Sequence, residues 1–212
     1  MSDAVGENSR AQPLAGRRVR SADGGLEMGP APTAARFALR CRPAHVAHLG
    51  STFGVPLPVA ACRAAMAGDR AALWLGPDEW LLLAADGAQA AIQDAFAAQC
   101  TGLSFSLVDI SQQTVGLVLD GSAARDALSL GCPLDLDATV FPPGSCTRTV
   151  FSKCEIILWR SSAQTFRMEL LRSYADYAWR LLGLAFADRA GDEEAIGCAV
   201  EAQDRAACLS MN

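Results

Sequence analysis

Ala71-Ala72-Leu73-Trp74-Leu75 and Glu79-Trp80-Leu81-Leu82-Leu83 stand on either side of Gly76-Pro77-Asp78. Two apolar runs of strand length, broken by residues that set a tight turn, specify an antiparallel hairpin. Every other element has to be arranged around that pairing. Upstream, Arg36-Phe37-Ala38-Leu39-Arg40 alternates as a half-buried strand does. Pro43 suits the first turn of a short helix that carries Val46, Leu49 and Phe53 on one side, and Pro56 and Pro58 end it. Downstream, residues 88–99 read as a helix with Ala91, Ile92, Ala95 and Phe96 inward, and a strand over 104–110 closes this half.

The second half repeats the rhythm without repeating the sequence. A strand over 113–120 passes through Gly121 to Ser122, the expected N-cap of a helix with Ala124, Ala127 and Leu128 inward. Gly131 and Pro133 stop that helix. Strands follow at 145–151, 155–160 and 165–171, the last setting Phe166, Met168 and Leu170 against Arg167 and Glu169. Ser173-Tyr174-Ala175-Asp176 has the form of a capping box, opening a helix with Tyr174, Tyr177, Ala178, Leu181 and Leu182 on one face. The order β-α-β-β-α-β, then β-α-β-β-β-α, predicts an α+β fold of two ferredoxin-like (split βαβ) lobes with antiparallel sheets backed by helices. The lobes are expected over about 34–110 and 111–188.

The flanks are different. Residues 1–33 are rich in Ala, Gly, Pro and Ser and read as a flexible N-terminal arm, and 189–212 as a poorly patterned tail in which Ala195–Val200 is apolar. With 51% apolar and 19% charged residues, most of the 212-residue chain should fold. A net charge of −5 argues against nucleic acid as a partner. No apolar run approaches the roughly 20 residues of a membrane span. Arg17-Arg18 lacks the apolar segment of an export signal, so a cytoplasmic protein is expected.

Chemistry has few footholds. The eight cysteines (41, 62, 100, 132, 146, 154, 198 and 208) lack zinc-knuckle spacing and read as small buried hydrophobes; Cys146 and Cys154 could face each other across a hairpin, which the sequence does not decide. His45 and His48 are three apart but have no third ligand nearby, so no metal site is expected. Asp78 and Glu79 read as a solvated turn above Trp80. Neither a phosphate-binding glycine loop nor a nucleophile elbow is present, and no catalytic residue is assigned. Asp109, Ser111 and the pair Arg172-Ser173 remain. A buried Asp109 could bind a pterin-like ring or act as a base; as the turn residue between two strands it would order its own backbone, and the turn role is preferred.

Four segments carry a family resemblance: Leu75–Leu82, Asp109–Thr114, Gly131–Leu136 and Arg172–Tyr177. In this order, and over about residues 34–186, the chain resembles the gamma subunit of heterotetrameric sarcosine oxidase. The resemblance implies an aminomethyltransferase folate-binding-like fold and a bacterial complex with alpha, beta and delta subunits. That complex oxidatively demethylates sarcosine to glycine with release of hydrogen peroxide, and passes a one-carbon unit to tetrahydrofolate. FAD, FMN, NAD and folate are implied for the alpha and beta subunits and zinc for delta, with no cofactor in this chain. Its implied role is assembly and stability of the complex. The alternative is a free-standing folate-binding aminomethyltransferase-like protein, in which Asp109, Ser111 and Arg172 would be the cofactor-binding candidates. A metal-binding redox protein built on the cysteines is a third reading.

Overall fold

The computed structural model describes residues 13–190. In chain order the elements are β1 (Val19–Arg20), β2 (Glu27–Pro30), β3 (Ala34–Cys41), α1 (Val46–Phe53), β4 (Ala64–Ala67), β5 (Arg70–Gly76), β6 (Glu79–Ala85), α2 (Gln89–Gln99) and β7 (Phe105–Asp109). They continue with β8 (Thr114–Asp120), α3 (Ala124–Ser129), β9 (Cys146–Phe151), β10 (Cys154–Arg160), β11 (Thr165–Leu171) and α4 (Ala175–Ala190). Two antiparallel sheets result, ordered β4-β5-β6-β3-β7 and β1-β2-β8-β11-β10-β9.

Strand alternation decides which face each sheet turns to which neighbour. In the first sheet Phe37, Leu39, Trp80 and Leu82 point to α1 and α2, where they meet Leu49, Phe53, Ile92 and Phe96. In the second, Leu117, Leu119, Leu158, Phe166 and Met168 point to α3 and α4, meeting Leu128, Ala178, Trp179 and Leu182. The opposite faces pack on each other through Ala71, Leu73, Leu81 and Leu83 from one sheet and Cys146 and Trp159 from the other. The layers therefore run helices, sheet, sheet, helices.

Within the first lobe, β5-β6-β3-β7 is the strand order of a split βαβ unit, with β4 added at the edge. The short strand β4, Ala-Ala-Met-Ala, is half-exposed and has little strand character of its own, which is why its sequence gives no warning of it. The second lobe has β8, β11 and β10 in the matching places, but no strand follows α4 among the described residues to fill the fourth. That place belongs to β2, which pairs with β8 from Glu27↔Asp120 to Pro30↔Leu117.

The expected flexible arm over 1–33 is therefore corrected for residues 13–33, while residues 1–12 lie outside the described residues. Leu14, Leu26 and Met28 are buried in the core of the second lobe, so its boundaries are not 111–188 alone. Two glycines next to the incoming segment let it approach. A Cβ at Gly116 would stand 2.7 Å from the Ala31 Cβ, and one at Gly121 (φ +115°) 2.3 Å from the Gly25 carbonyl oxygen.

Helix ends depart from expectation as well. Ser122 does not cap α3; Ala123 occupies that position, with no side-chain cap bond. The Ser173–Asp176 capping box does not form, because residues 172–174 make a 3-10 turn and Asp176 instead binds Arg17 at 2.8 Å and Arg180 at 2.9 Å. The buried face of α4 is Ala175, Ala178, Trp179, Leu182, Ala185 and Phe186, while Tyr174 and Tyr177 are exposed. Ala91 of α2 is exposed too. The tail's Ala195–Val200 lies outside the described residues.

At one side the two sheets are stitched together by backbone. Arg63 and Ser145 form an antiparallel bridge, with Ala64 N–H donating to the Gly144 carbonyl at 2.8 Å and Cys146 N–H to the Cys62 carbonyl at 3.0 Å.

Candidate functional site at the lobe junction

The polar stretch between β7 and β8 makes the crossover from the first sheet to the second. Asp109 ends the edge strand β7 and is exposed; Ser111, two residues on, is buried. The Asp109 carboxylate accepts the Ser111 N–H at 2.8 Å and the Ser111 hydroxyl at 2.5 Å, an Asx-type turn. Ser111 Oγ in turn accepts the Arg36 N–H at 2.8 Å, and the Ile110 N–H donates to the Arg36 carbonyl at 2.8 Å. The turn is thereby bolted to β3, the inner strand beside the edge strand β7.

Arg36 itself points the other way, into the gap between the sheets. Its side chain is 4% exposed, so the alternation that predicts a half-buried strand understates the burial. Nε donates to Glu169 Oε2 of β11 at 2.7 Å, and Nη1 to the Ala34 carbonyl at 3.1 Å. Arg167 closes on the other carboxylate oxygen at 2.6 Å. A buried carboxylate needs such partners, because desolvation of an unpaired charge costs far more than a salt bridge returns. Gly116 faces this cluster, and a Cβ there would stand 2.9 Å from Glu169 Oε1.

Arg172 lies in the 3-10 turn before α4, with its N–H on the Gln113 carbonyl at 2.9 Å and Nη1 3.4 Å from Gln112 Oε1. Arg36, Ser111 and Arg172 meet around a cavity that Pro13, Thr33 and Thr114 also line, but its volume is about 10 Å³. That is the space of about one water molecule. The structure thus brings Ser111 and Arg172 to one cavity and leaves Asp109 at its turn. A pterin ring is far larger than this volume.

Sequence reading missed a second charged cluster. Glu79, expected in a solvated turn, has only 13% of its side chain exposed and holds Arg40 of β3 at 2.8 Å and Arg148 of β9 at 2.6 Å. The Arg148 hydrogen bond, with the Arg40 charge adding to it, pulls the Glu79 carboxyl below its ordinary value. Trp80 packs beneath, its indole N–H on the Pro58 carbonyl at 2.8 Å.

The other candidates separate. His48 donates from Nε2 to the Gln99 carbonyl at 2.8 Å, and among the described residues no three of His, Cys, Asp and Glu converge as a ligand set. Cys146 and Cys154 do not face each other: Cys146 stands opposite Trp159 and Cys154 opposite Phe151. A larger groove, about 420 Å³, runs between α3 and α4 along Leu26, Ala127, Leu130, Leu181 and Leu184. It is mainly apolar, Asp126 being its charged lining residue, and Leu130 and Leu184 are about half-exposed.

Residues 39–188 match the model of the family described as "Sarcosine oxidase, gamma subunit family". The chain belongs to this family. It is 31% identical over 147 residues to the sarcosine oxidase subunit gamma of Corynebacterium sp. (strain U-96), covering 67% of this chain and 70% of that one. The subunit gamma of an Arthrobacter species is 31% identical over 136 residues, covering 63% and 66%. Among solved structures, the heterotetrameric sarcosine oxidase of Corynebacterium sp. U-96 in complex with pyrrole 2-carboxylate contains a chain that superposes with a TM-score of 0.73. The two are 27% identical over 79% of this chain and 87% of that one. The glycine cleavage system aminomethyltransferase T of Bartonella henselae superposes at 0.55 with 14% identity, covering 77% and 46%, a likeness of fold alone. The expected α+β fold of two antiparallel sheets backed by helices is thus the family's.

Proposed function

We propose that this gamma-family chain serves as a non-catalytic subunit of a heterotetrameric sarcosine oxidase, docking on alpha, beta and delta partners and stabilising their assembly. In this reading the partners carry FAD, FMN, NAD, tetrahydrofolate and zinc. The cytoplasmic complex demethylates sarcosine to glycine, releasing hydrogen peroxide and passing a one-carbon unit to tetrahydrofolate. The observation that carries the reading is the filled junction. Ser111 and Asp109 spend their hydrogen bonds on each other and on the β3 backbone, around a cavity of about 10 Å³. Groups held this way serve architecture and leave no room for a substrate to be oriented. The apolar groove between α3 and α4 supports docking as the mode of action, since exposed apolar surface of this kind marks interaction sites.

Co-expression of the alpha, beta and delta partners with and without this chain tests the proposal. Omission should lower the yield of assembled oxidase, and the chain alone should not oxidise sarcosine. Full assembly without it, or turnover by the isolated chain, overturns the reading. Titration of the isolated chain with tetrahydrofolate in a calorimeter should give no saturable heat; saturation would favour the aminomethyltransferase-like alternative instead.

A further inference from the structure

Of the six cysteines among the described residues, four are shared between the two helix-side cores: Cys41 and Cys100 in the first lobe, Cys132 and Cys154 in the second. The other two meet at the seam. Cys62 and Cys146 flank the isolated antiparallel bridge between Arg63 and Ser145 and are joined by the Cys146 N–H to Cys62 carbonyl bond at 3.0 Å. Residues joined by a cross-strand N–H to carbonyl bond have Cα atoms about 5.5 Å apart. That lies within the roughly 4.4–6.8 Å that a disulfide spans.

The two thiols differ in a useful way. Cys62 is partly exposed and sits at φ +59°, a left-handed conformation uncommon for a residue with a side chain. Such strained positions persist where the surroundings fix them, and they concentrate at sites of function. Cys146 is fully buried, its Sγ donating to the Trp74 carbonyl at 3.5 Å. Burial pushes the Cys146 thiol up to about 12, and the neighbouring Cys62 adds to the shift. One residue is partly open to solvent and the other is sealed from it.

We propose that Cys62 and Cys146 form a reversible disulfide that ties the two lobes together across their seam when the protein meets a hydroperoxide. The Cys62 thiol gives up its proton and its sulfur attacks a peroxide oxygen. The O–O bond breaks, leaving a sulfenic acid on Cys62 and, from hydrogen peroxide, one water. The Cys146 sulfur then attacks the Cys62 sulfur, the S–O bond breaks, and the departing hydroxide leaves as water with the Cys146 proton. Two thiols and one hydrogen peroxide become one disulfide and two waters; the sulfurs lose two electrons and the peroxide oxygens gain them. The link closes the chain between residues 62 and 146, so it spans both lobes, and a dithiol reductant reverses it. This inference does not depend on the assembly role proposed above.

The test uses the full-length native chain, exposed to hydrogen peroxide, quenched, denatured, alkylated and mapped by fragmentation to residue level. Of the eight thiols in the sequence, two should be lost, and one linked species should join Cys62 to Cys146. Dithiothreitol should restore all eight. The Cys62→Ser variant, which changes a partly exposed position, should keep its seven remaining thiols under the same exposure. A bridge between other cysteines overturns the proposal, as does a Cys62 oxygen adduct with Cys146 still alkylatable. No thiol loss in the native chain, or equal loss in Cys62→Ser, does so too.

Discussion

Glu169 and Glu79 each sit between two arginines, and each set crosses the gap between the sheets, yet their surroundings differ sharply. Around Glu169 the exposures are 2% for the carboxylate, 4% for Arg36 and 17% for Arg167. Around Glu79 they are 13% for the carboxylate but 62% for Arg40 and 38% for Arg148. The same constellation is therefore a sealed ionic joint in one place and a wet clasp at the rim in the other. The sealed joint is costly to desolvate and tolerates only one arrangement of the lobes, since a displacement would strand charge in apolar surroundings. The rim clasp gains modest Coulomb energy in high dielectric and yields to water when it opens.

Substitutions can break or sharpen this contrast. Glu169→Ala leaves the buried Arg36 and the half-buried Arg167 without their counter-charge and should cost about 3–5 kcal/mol in urea unfolding. A loss no larger than that at Glu79 would end the distinction. Arg36→Met combined with Glu169→Met should recover part of the loss, because only Arg167, 17% exposed, is then left without its carboxylate. Gly116→Ala keeps every charge but pushes a methyl against Ala31 and the Glu169 carboxylate, for about 1–3 kcal/mol by the same measurement.

Asp109→Ala removes the anchor of the crossover turn beside Arg36. Since Asp109 is exposed, the loss should be about 1 kcal/mol, read as a lowered melting temperature. Glu79→Gln should cost no more than about 1 kcal/mol and should matter less as salt is raised. Its pH dependence has a definite sign. Arg148 and Arg40 hold the folded-state Glu79 carboxyl below the ordinary value near ~4.3, so its contribution is complete above that value. It fades as pH falls through the lowered folded value, and denaturation midpoints of wild type and Glu79→Gln should converge in acid.

Much of this architecture is legible in the residues, and the exceptions have physical causes. The 71–83 hairpin, the α1 stripe of Val46, Leu49 and Phe53, and the alternation of β11 all follow from periodic burial against one layer. Burial on both faces is harder to read. Arg36 and Glu169 occupy the polar half of clean alternations, which signals solvent in a single-layer sheet; here the second sheet has replaced the solvent. Likewise β2, Glu-Met-Gly-Pro, carries no strand pattern of its own, and its place is set by the vacancy beside β8. The inner face of α4 is rotated from the expected one because Trp179 and Phe186 claim the core, leaving Tyr177 to meet Ser152 at the surface. Asp109 and Ser111 are legible as a turn, but that Ser111 would reach the Arg36 backbone depends on a pairing 75 residues apart.

The pairing of β2 with β8 nests one lobe inside the other along the chain: β2 is made early, and its partner emerges only after all of β3 to β7. At ribosomal speeds of about 5–20 residues per second, Glu27 waits roughly 5–20 s for Asp120. During that interval the first lobe, whose strand ladders are internal apart from the Arg63–Ser145 bridge, has time to close while a short unpaired strand trails from its front. That strand is only four residues long and carries a glycine and a proline, a composition poorly suited to recruiting a neighbouring nascent chain. The weak strand character that hides β2 from a reader of the sequence also protects it while it waits.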